Sequence, residues 1–292
     1  MSLDVAVILP VYNGAAFLDN AVSSVLRQRN ERWKLYVVDD ASTDTSRALV
    51  AKYSDARVHK IYHPKNLGLY PTLVQTLAEI ESEWIVILMQ DDCLAENYLD
   101  TMSNVSHNFS NVRAIWSAQQ AIGAEGNILR SAPETDEVEF IEASIPAWKS
   151  GLRRGCFWTI SGSLVRRDLY RAIPFRAELS HAADYDWMLR VLRSESMLYV
   201  KQALVQIRMH SGQTSARHMA QARDLREYLE VHRANIKLYR DDLSRAEIAA
   251  LCRNGFGLIL RRIPTLLRMG NLRAMPTLLH CARGYAELLV QA

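Results

Sequence analysis

The N-terminal third of the chain alternates between short apolar runs and segments with apolar residues at helical spacing. Four apolar, partly β-branched runs predict strands, at residues 5–10, 34–40, 58–63 and 83–90. Three intervening segments predict amphipathic helices, at residues 17–28, 44–53 and 71–80. Strands that are apolar on both faces and separated by helices predict an α/β fold, with a mostly parallel sheet covered by helices.

The rest of the chain is less regular at first and strongly helical towards its end. Residues 112–129 predict two strands around a turn, and residues 157–170 predict a strand, a turn of small residues and a helix start. From about residue 221, Leu, Ile and Ala recur at helical spacing among many arginines, which predicts two to four helices. We expect a domain over residues 1–218, with halves at 1–110 and 111–218, and a helical C-terminal appendage over 219–292.

Composition narrows the class of protein. The 292 residues are 49% apolar and 23% charged, which is typical of a globular protein, and the net charge of +3 is too small to indicate a nucleic-acid partner. The four cysteines are far apart and no secretory pattern begins the chain, so we expect a cytoplasmic setting. No apolar stretch reaches the roughly 18 to 20 residues of a membrane-spanning helix, while peripheral contact with the inner face of a membrane stays open.

Polar residues follow the predicted strands at one edge of the sheet. Tyr12 comes after the first strand, Asp39 and Asp40 after the second, and Asp91 and Asp92 after the fourth. Ligands of parallel sheets bind beyond these carboxyl ends. Either pair alone could cap a helix. Two pairs at one edge favour a bound cation, because Mg²⁺ or Mn²⁺ is held by one or two carboxylates plus substrate phosphates. One pair could bind the metal, and the other could accept hydrogen bonds from a sugar or a base.

Four segments carry a family resemblance, "VAVILPVYNGAAFLDNAVSSVLRQ", "YVVDDASTDTS", "HPKNLGL" and "IVILMQDDC". In this order and spacing they resemble the nucleotide-sugar half of family-two inverting glycosyltransferases with the GT-A fold, and the likeness continues more weakly to about residue 215. It implies a Rossmann-like mixed, mostly parallel sheet. It also implies transfer of a sugar from a nucleotide diphosphate donor, a UDP-sugar, to a saccharide or lipid-linked glycan acceptor, with Mn²⁺ or Mg²⁺ as cofactor.

The resemblance implies a nucleotide site built from the first half of the chain. Asp40 would accept a hydrogen bond from uracil, with Asp39 beside it, and Asp91 would face the ribose or the donor sugar. Pro71 stands near the place where many members carry an arginine that faces the base. The implied nucleotide-binding residues are Pro10, Val11, Tyr12, Asp39, Asp40, Asn66 and Asp91.

The resemblance also implies a metal site. Asp92 would bind the metal, and Met89 stands where many members carry a further Asp. A lone His after an apolar strand is usually structural, but "IRMHSGQTS" at 207–215 resembles a family segment whose His reaches the metal or the diphosphate. His210 is therefore the second expected metal ligand.

"HAADYDWMLRV" at 181–191 places Asp184 and Asp186 at the start of an amphipathic helix, where the helix dipole alone favours acidic residues. The segment also resembles the family motif whose Asp is the general base. Asp184 takes that position, with Ala183 in place of the usual Glu, and Asp186 is left a structural or acceptor-binding role. Inverting transfer requires such a base, because the acceptor hydroxyl must lose its proton.

An acceptor site is expected in "CFWTISGSLVRR" at 156–167, through Trp158, Ser161 and Gly162. Aromatic faces stack on sugar rings and Gly allows close approach, although the same residues could simply pack in the core.

Three further alternatives stay open. A nucleotidyltransferase would need a Lys or Arg after the first strand, which "PVYNGAAF" lacks. A catalytically silent nucleotide-sugar-binding or scaffold subunit is disfavoured by the joint presence of Asp92, Asp184 and His210. The basic C-terminal helices could pack on the domain, form a homodimer with a second copy, or contact anionic lipid at a membrane surface.

Overall fold

The structure is a computed structural model that describes residues 3–130 and 135–291. Its N-terminal half is a run of parallel strands with order β3-β2-β1-β4. The strands are β1 (Val5–Val11), β2 (Trp33–Asp39), β3 (Val58–Tyr62) and β4 (Trp84–Ile87). The helices between them are α1 (Leu18–Leu26), α2 (Ser46–Lys52) and α3 (Leu69–Glu79). These strands and helices confirm the prediction for this part of the chain.

The second half continues the same sheet in the order β4-β9-β6-β10-β5, with β7 beside β6 and β8 beside β10. β9 is antiparallel to β4 and β6, whereas β10 is parallel to β6. The strands are β5 (Cys93–Leu94), β6 (Ala114–Ile122), β7 (Ile128–Arg130), β8 (Val138–Ile141), β9 (Ser163–Arg166) and β10 (Met197–Arg208). The helices are α4 (Tyr98–Asn108), α5 (Ile145–Arg154), α6 (Arg167–Ala172) and α7 (Ala183–Val191). The sheet is thus mixed α/β, as expected.

The sheet is buried on both faces, which explains why β1 is apolar along its whole length. Ala6 and Ile8 belong to one core, together with residues of α3, α5, α7 and the C-terminal helices. Val7 and Leu9 belong to a second core, together with residues of α1 and α4. Successive side chains of a strand point to opposite faces, so a strand covered on both sides has no polar position to spare.

The C-terminal helices pack against the second half of the domain. They are α8 (Thr214–Ala220), α9 (Arg223–Leu238), α10 (Arg245–Arg268) and α11 (Met275–Gln291), with 3₁₀ turns at Arg240–Asp242 and Leu272–Ala274. Trp148 of α5 donates its indole N–H to Oδ1 of Asn235 at 2.9 Å. His232 of α9 lies between the hydroxyls of Tyr185 and Tyr285, at 3.1 and 2.9 Å. None of the helices in the described ranges combines the length and apolarity needed to span a bilayer.

Candidate active site

The carboxyl ends of β1, β2 and β4 meet at one edge of the sheet because the three strands are parallel neighbours. Val11 pairs with Asp39 in this register, so the loops that follow the two strands begin side by side. Pro10 and Val11 lie within β1 and are buried, whereas Tyr12 just beyond it is 42% exposed. Of the three residues predicted to line the nucleotide site after β1, only Tyr12 therefore presents its side chain at the surface.

The loops after β1 and β2 are tied together by their side chains. Asn13 has a positive φ of 51°, and its side-chain oxygen accepts a hydrogen bond from the Thr43 backbone N–H at 2.8 Å. Gly14 donates its N–H to the Ser46 hydroxyl at 2.9 Å. α2 begins at Ser46, and the Asp44 carboxylate accepts a hydrogen bond from the Ser46 N–H at 2.9 Å. These hydrogen bonds join the two loops into one rim.

Gln90 links this rim to the loop after β4. Its side-chain oxygen accepts from the Tyr12 N–H at 2.8 Å, and its amide donates to the Tyr12 carbonyl at 3.2 Å. Both backbone groups of Tyr12 are thereby fixed by one side chain. The sequence prediction missed Gln90, although its place directly before Asp91 was a signal that could have found it.

The two Asp residues after β2 have different surroundings. Asp40 accepts from the backbone N–H groups of Leu67 and Gly68 at 2.9 and 2.8 Å, and Nδ1 of His63 lies 2.9 Å from its Oδ1. The carboxylate of Asp40, the residue predicted to bind uracil, therefore holds the loop before α3. Asn66 lies in the same loop and donates its side-chain amide to the Asp40 carbonyl at 3.2 Å.

Asp39 is the less occupied member of the pair. It is fully buried, and no group in residues 3–130 or 135–291 donates a hydrogen bond to its Oδ2. The Arg47 guanidinium lies 3.8 Å from this oxygen. Because a buried acceptor without a donor is costly, Asp39 Oδ2 is the oxygen of this pair best suited to receive a ligand N–H.

The two Asp residues after β4 also have different surroundings. Nε2 of His210 lies 2.9 Å from Oδ2 of Asp91, and both side chains are partly exposed. The His210 ring also packs against Phe17, with ring centroids 4.7 Å apart. Asp91, predicted to face the ribose or the sugar, is thus the carboxylate beside His210.

Asp92, the predicted metal ligand, is 5% exposed and uses both of its oxygens within the protein. Ser161 donates its hydroxyl to Oδ2 at 2.6 Å, and the Arg208 backbone N–H donates to Oδ1 at 3.0 Å. Burial raises the pKa of Asp92 to about 7 despite these hydrogen bonds. Asp92 therefore joins the end of β4 to the end of β10, and Asp91 is the member of the pair that remains available.

Metal binding itself stays a prediction. In the described part of the chain, no group of three or more His, Cys, Asp or Glu side chains could hold an ion. Met89, which replaces a further Asp, is partly buried against the larger core.

Asp184 lies at the start of α7 and is partly buried. The Tyr185 N–H donates to its Oδ1 at 2.7 Å. Burial raises the pKa of Asp184 to about 6, and the nearby charge of Glu227 acts in the same direction. A carboxylate with a pKa close to neutral is well matched to general-base work, since it is ionised at pH 7 yet retains affinity for a proton.

Glu227 of α9 holds the segment that leads into α7, and the sequence prediction missed it. Its carboxylate accepts from the Ser180 N–H and hydroxyl at 3.0 and 2.6 Å, and from the N–H groups of His181 and Ala182 at 2.6 and 2.9 Å. Burial alone would raise the pKa of Glu227, but these hydrogen bonds hold it below its usual value. No local pattern signals this role, because the acceptor lies about 45 residues away in sequence from the donors it serves.

The residues predicted to contact an acceptor are structural. Trp158 is 1% exposed and stacks on Trp187, with ring centroids 4.5 Å apart. Ser161 is committed to Asp92, and Gly162, at a φ of 71°, accepts a hydrogen bond from the Tyr98 hydroxyl at 2.9 Å. The segment 157–160 is a loop rather than the predicted strand. The side chains of Trp158 and Ser161 and the carbonyl of Gly162 are thus engaged in contacts within the protein.

The surroundings of Asp186 fit the structural one of the two roles expected for it. It is 2% exposed, and its carboxylate pairs with Arg190 at 2.8 Å and with Arg176 at 3.4 Å.

Parts of this sequence are similar to known glycosyltransferases. The family described as "Glycosyl transferase family 2" matches residues 6–110. An uncharacterized glycosyltransferase of Rickettsia typhi, RT0329, is 25% identical over 214 residues, covering 72% of this chain and 65% of the relative. The putative teichuronic acid biosynthesis glycosyltransferase TuaG of Bacillus subtilis is 33% identical over 90 residues, which is 30% of this chain and 36% of TuaG. The chain thus spans less than two thirds of the length of these relatives.

Solved structures show the same fold. The structure of S. aureus TarS residues 1–349 has a TM-score of 0.65 at 17% identity and covers 99% of this chain and 81% of the TarS chain. The same TarS fragment in complex with UDP-GlcNAc has a TM-score of 0.62 at 18% identity, covering 99% and 89%. The likeness to TarS extends through the C-terminal helices, beyond the residues matched by the family.

Proposed function

We propose that this chain is a family-two glycosyltransferase that transfers a sugar from a nucleotide diphosphate donor, a UDP-sugar, to a saccharide or lipid-linked glycan acceptor; the match of residues 6–110 to the family and the fold shared with TarS support the proposal. The observation that carries the proposal is the arrangement at the sheet edge. The loops after β1 and β2 form a rim that includes the buried acceptor on Asp39, and Gln90 joins this rim to the loop after β4, where Asp91 pairs with His210 from the end of β10. The TarS complex supports a uridine nucleotide, since that protein of the same fold binds UDP-GlcNAc.

Asp39 and Tyr12 are the proposed contacts for the nucleoside. Oδ2 of Asp39, which has no hydrogen-bond donor among the described residues, would accept the imide N–H of uracil, and the ring of Tyr12 is exposed in the neighbouring loop. This assignment differs from the sequence prediction in favouring Asp39 over Asp40, whose oxygens already have backbone donors.

Asp91 and His210 are the proposed residues for a divalent metal, Mn²⁺ or Mg²⁺. Their side chains are 2.9 Å apart and partly exposed, so one carboxylate oxygen and one imidazole nitrogen could both face an ion. Two protein groups fit an ion that is otherwise held by diphosphate oxygens, and such an ion would offset charge on the departing diphosphate.

Asp184 is the proposed general base of an inverting displacement. It would accept the proton of the acceptor hydroxyl as that oxygen attacks the anomeric carbon and the diphosphate leaves on the opposite face. Its pKa of about 6 leaves it ionised at neutral pH. Glu227 would keep the base in place through the segment 180–182.

The turn between α10 and α11, residues 267–273, is the proposed point of peripheral membrane contact. Leu267, Met269 and Leu272 are 53%, 61% and 62% exposed there, and Arg268 and Arg273 are exposed beside them. Apolar side chains among arginines suit the surface of an anionic bilayer. Contact with a second copy of this chain is the alternative use of the same surface.

A thermal-shift titration with UDP tests the nucleotide and metal sites together. We expect UDP to raise the melting temperature, and Mn²⁺ to increase that rise, because a ligand that binds only the folded state stabilises it by mass action. His210→Ala should remove the Mn²⁺-dependent part, while His280→Ala, at an exposed position on α11, should leave it intact. A rise that is the same with and without Mn²⁺ would refute the metal site, and no rise with UDP would refute the nucleotide site.

A further inference from the structure

A second cleft of about 410 Å³ lies on the far side of β9 from the nucleotide edge, between β6, β8, β10 and α5. Three aromatic side chains line it. The Trp116 ring is 6.1 Å from that of Phe157 and 5.1 Å from that of Tyr199, measured between centroids. Phe157 and Tyr199 are partly exposed, so their faces are accessible from the cleft. A volume of this order is typical of small-ligand sites.

Polar groups are set among these rings. Ser117 lines the cleft, is 3% exposed, and its hydroxyl has no hydrogen-bond partner among the described residues. The Gln119 amide donates to the Thr159 hydroxyl at 2.6 Å, which leaves the Gln119 carbonyl oxygen for a ligand. Arg154 and Glu139 are exposed at the rim, and the Arg154 guanidinium lies 5.9 Å from the Phe157 ring. A buried hydroxyl without a partner is costly unless a ligand satisfies it.

One residue, Phe157, links the cleft to the surroundings of the proposed base through its sequence neighbour. Cys156 directly precedes Phe157, and the charge of Asp184 lies close enough to add to the effect of burial in raising the pKa of the Cys156 thiol. The sheet order keeps the cleft apart from the donor edge, since β9 separates β6 from β4.

We propose that this cleft binds a sugar ring of the acceptor, an inference that rests on the proposed function. The aromatic rings would stack on the apolar face of a pyranose. The Ser117 hydroxyl, the Gln119 carbonyl and the charged residues at the rim would form hydrogen bonds with the hydroxyls of the sugar. A purely apolar ligand would leave Ser117 unsatisfied, and a phosphate would meet the carboxylate of Glu139 as well as Arg154. The acceptor sugar would thereby bind in the second half of the sheet, apart from the donor edge.

Saturation-transfer NMR on the full chain tests the cleft without any donor. The probes are the methyl glycosides of glucose, galactose, N-acetylglucosamine and glucuronic acid. We expect at least one to bind saturably with a millimolar Kd, and Tyr199→Ala and Gln119→Leu each to weaken that binding by about tenfold. Phe140→Ala is the matched control, because Phe140 is an exposed aromatic on β8 between the cleft-lining Glu139 and Ile141.

The outcomes separate this proposal from the proposed function. Failure of every glycoside to bind up to about 50 mM, or binding that both cleft variants leave unchanged, overturns the cleft as a sugar site. Neither result bears on stabilisation by UDP, because that measurement concerns a different edge of the sheet. If a glycoside binds in the cleft but UDP does not stabilise the chain, the sugar site stands and the transfer reaction is refuted.

Discussion

The side chain of Asp184 is surrounded by weak acids rather than by cations. Its charge contributes to raising the pKa of Tyr70, Cys156 and Tyr228, each of which is buried or partly buried beside it. Burial is the main reason why the pKa of Asp184 itself is raised to about 6. The same surroundings that make the carboxylate a suitable base make its charged form unfavourable in the folded protein.

Asp184→Asn should separate activity from stability. We expect transfer to fall by about 10²- to 10⁴-fold, because the acceptor proton loses its base. We also expect the variant to be more stable than the wild type at pH 8, by up to about 3 kcal/mol. An acid whose pKa is raised on folding contributes stability below its unfolded pKa, and this contribution is lost as the pH rises through about 6.

Thermal unfolding at pH 4 and pH 8, together with the rate of UDP release, measures both effects. The stability advantage of Asp184→Asn should vanish near pH 4, and wild-type transfer should decline below about pH 6. Asp136→Asn, at an exposed position, is the control. Full activity in Asp184→Asn would contradict the assignment of the base.

At the scale of single residues, the sequence located the polar pairs but not the member of each pair that faces outward. Asp91 and Asp92 are chemically identical, and their environments differ because a backbone N–H at Arg208 and a hydroxyl at Ser161 approach Asp92 from distant parts of the chain. Asp39 and Asp40 are divided in the same way by the loop at 67–68. Tertiary contacts of this kind leave no local pattern.

At the scale of secondary structure, the strands that are easiest to predict are those buried on both faces. β1, β2 and β4 are continuous apolar runs and were predicted within a few residues of their bounds. β8 is short and mostly exposed, so no apolar run marks it. α5 buries only Trp148, Gly151 and Leu152, and it too was missed. The missed pair β8 and α5 forms one wall of the proposed sugar cleft.

The entry to α7 yields a prediction for Glu227→Gln. Removing the nearby negative charge should lower the pKa of Asp184. The pH below which the transfer rate declines should therefore move to a lower value. The hydrogen bonds to residues 180–182 would lose their charge assistance, which should lower stability by about 1–3 kcal/mol.

The pH profile distinguishes positioning from mere structural support in this test. Glu230→Gln, one turn further along α9, removes a charge paired with Arg226 and should leave the profile unchanged. A loss of activity at every pH without a shift of the acidic limb would show that Glu227 only supports the fold.

For the whole molecule, the membrane contact proposed for the turn between α10 and α11 can be tested with lipid vesicles. We expect sedimentation with vesicles that contain phosphatidylglycerol, weakening as salt rises, because arginines attract an anionic surface within a Debye length. The double variant Leu267→Glu and Leu272→Glu should reduce binding by at least about tenfold.

Leu129→Glu is the matched control for that experiment, since Leu129 is equally exposed but lies on β7. Equal binding to neutral and anionic vesicles, or none to either, would contradict the membrane proposal. A dimer in sedimentation velocity that the double variant dissociates would instead assign the surface to a second copy.

The division at residues 218 and 219 remains a prediction from sequence, and the contacts between the two parts bear on how such a chain can change over evolution. The acid that orders the approach to the proposed base is supplied by α9, from the part expected to be an appendage. A hybrid that joined this sheet to the C-terminal helices of a relative would inherit a working base only if the foreign helix brought a carboxylate to the same spot. The two parts are thus constrained to diverge as a pair, and exchange of whole modules is a poor route to new specificity here.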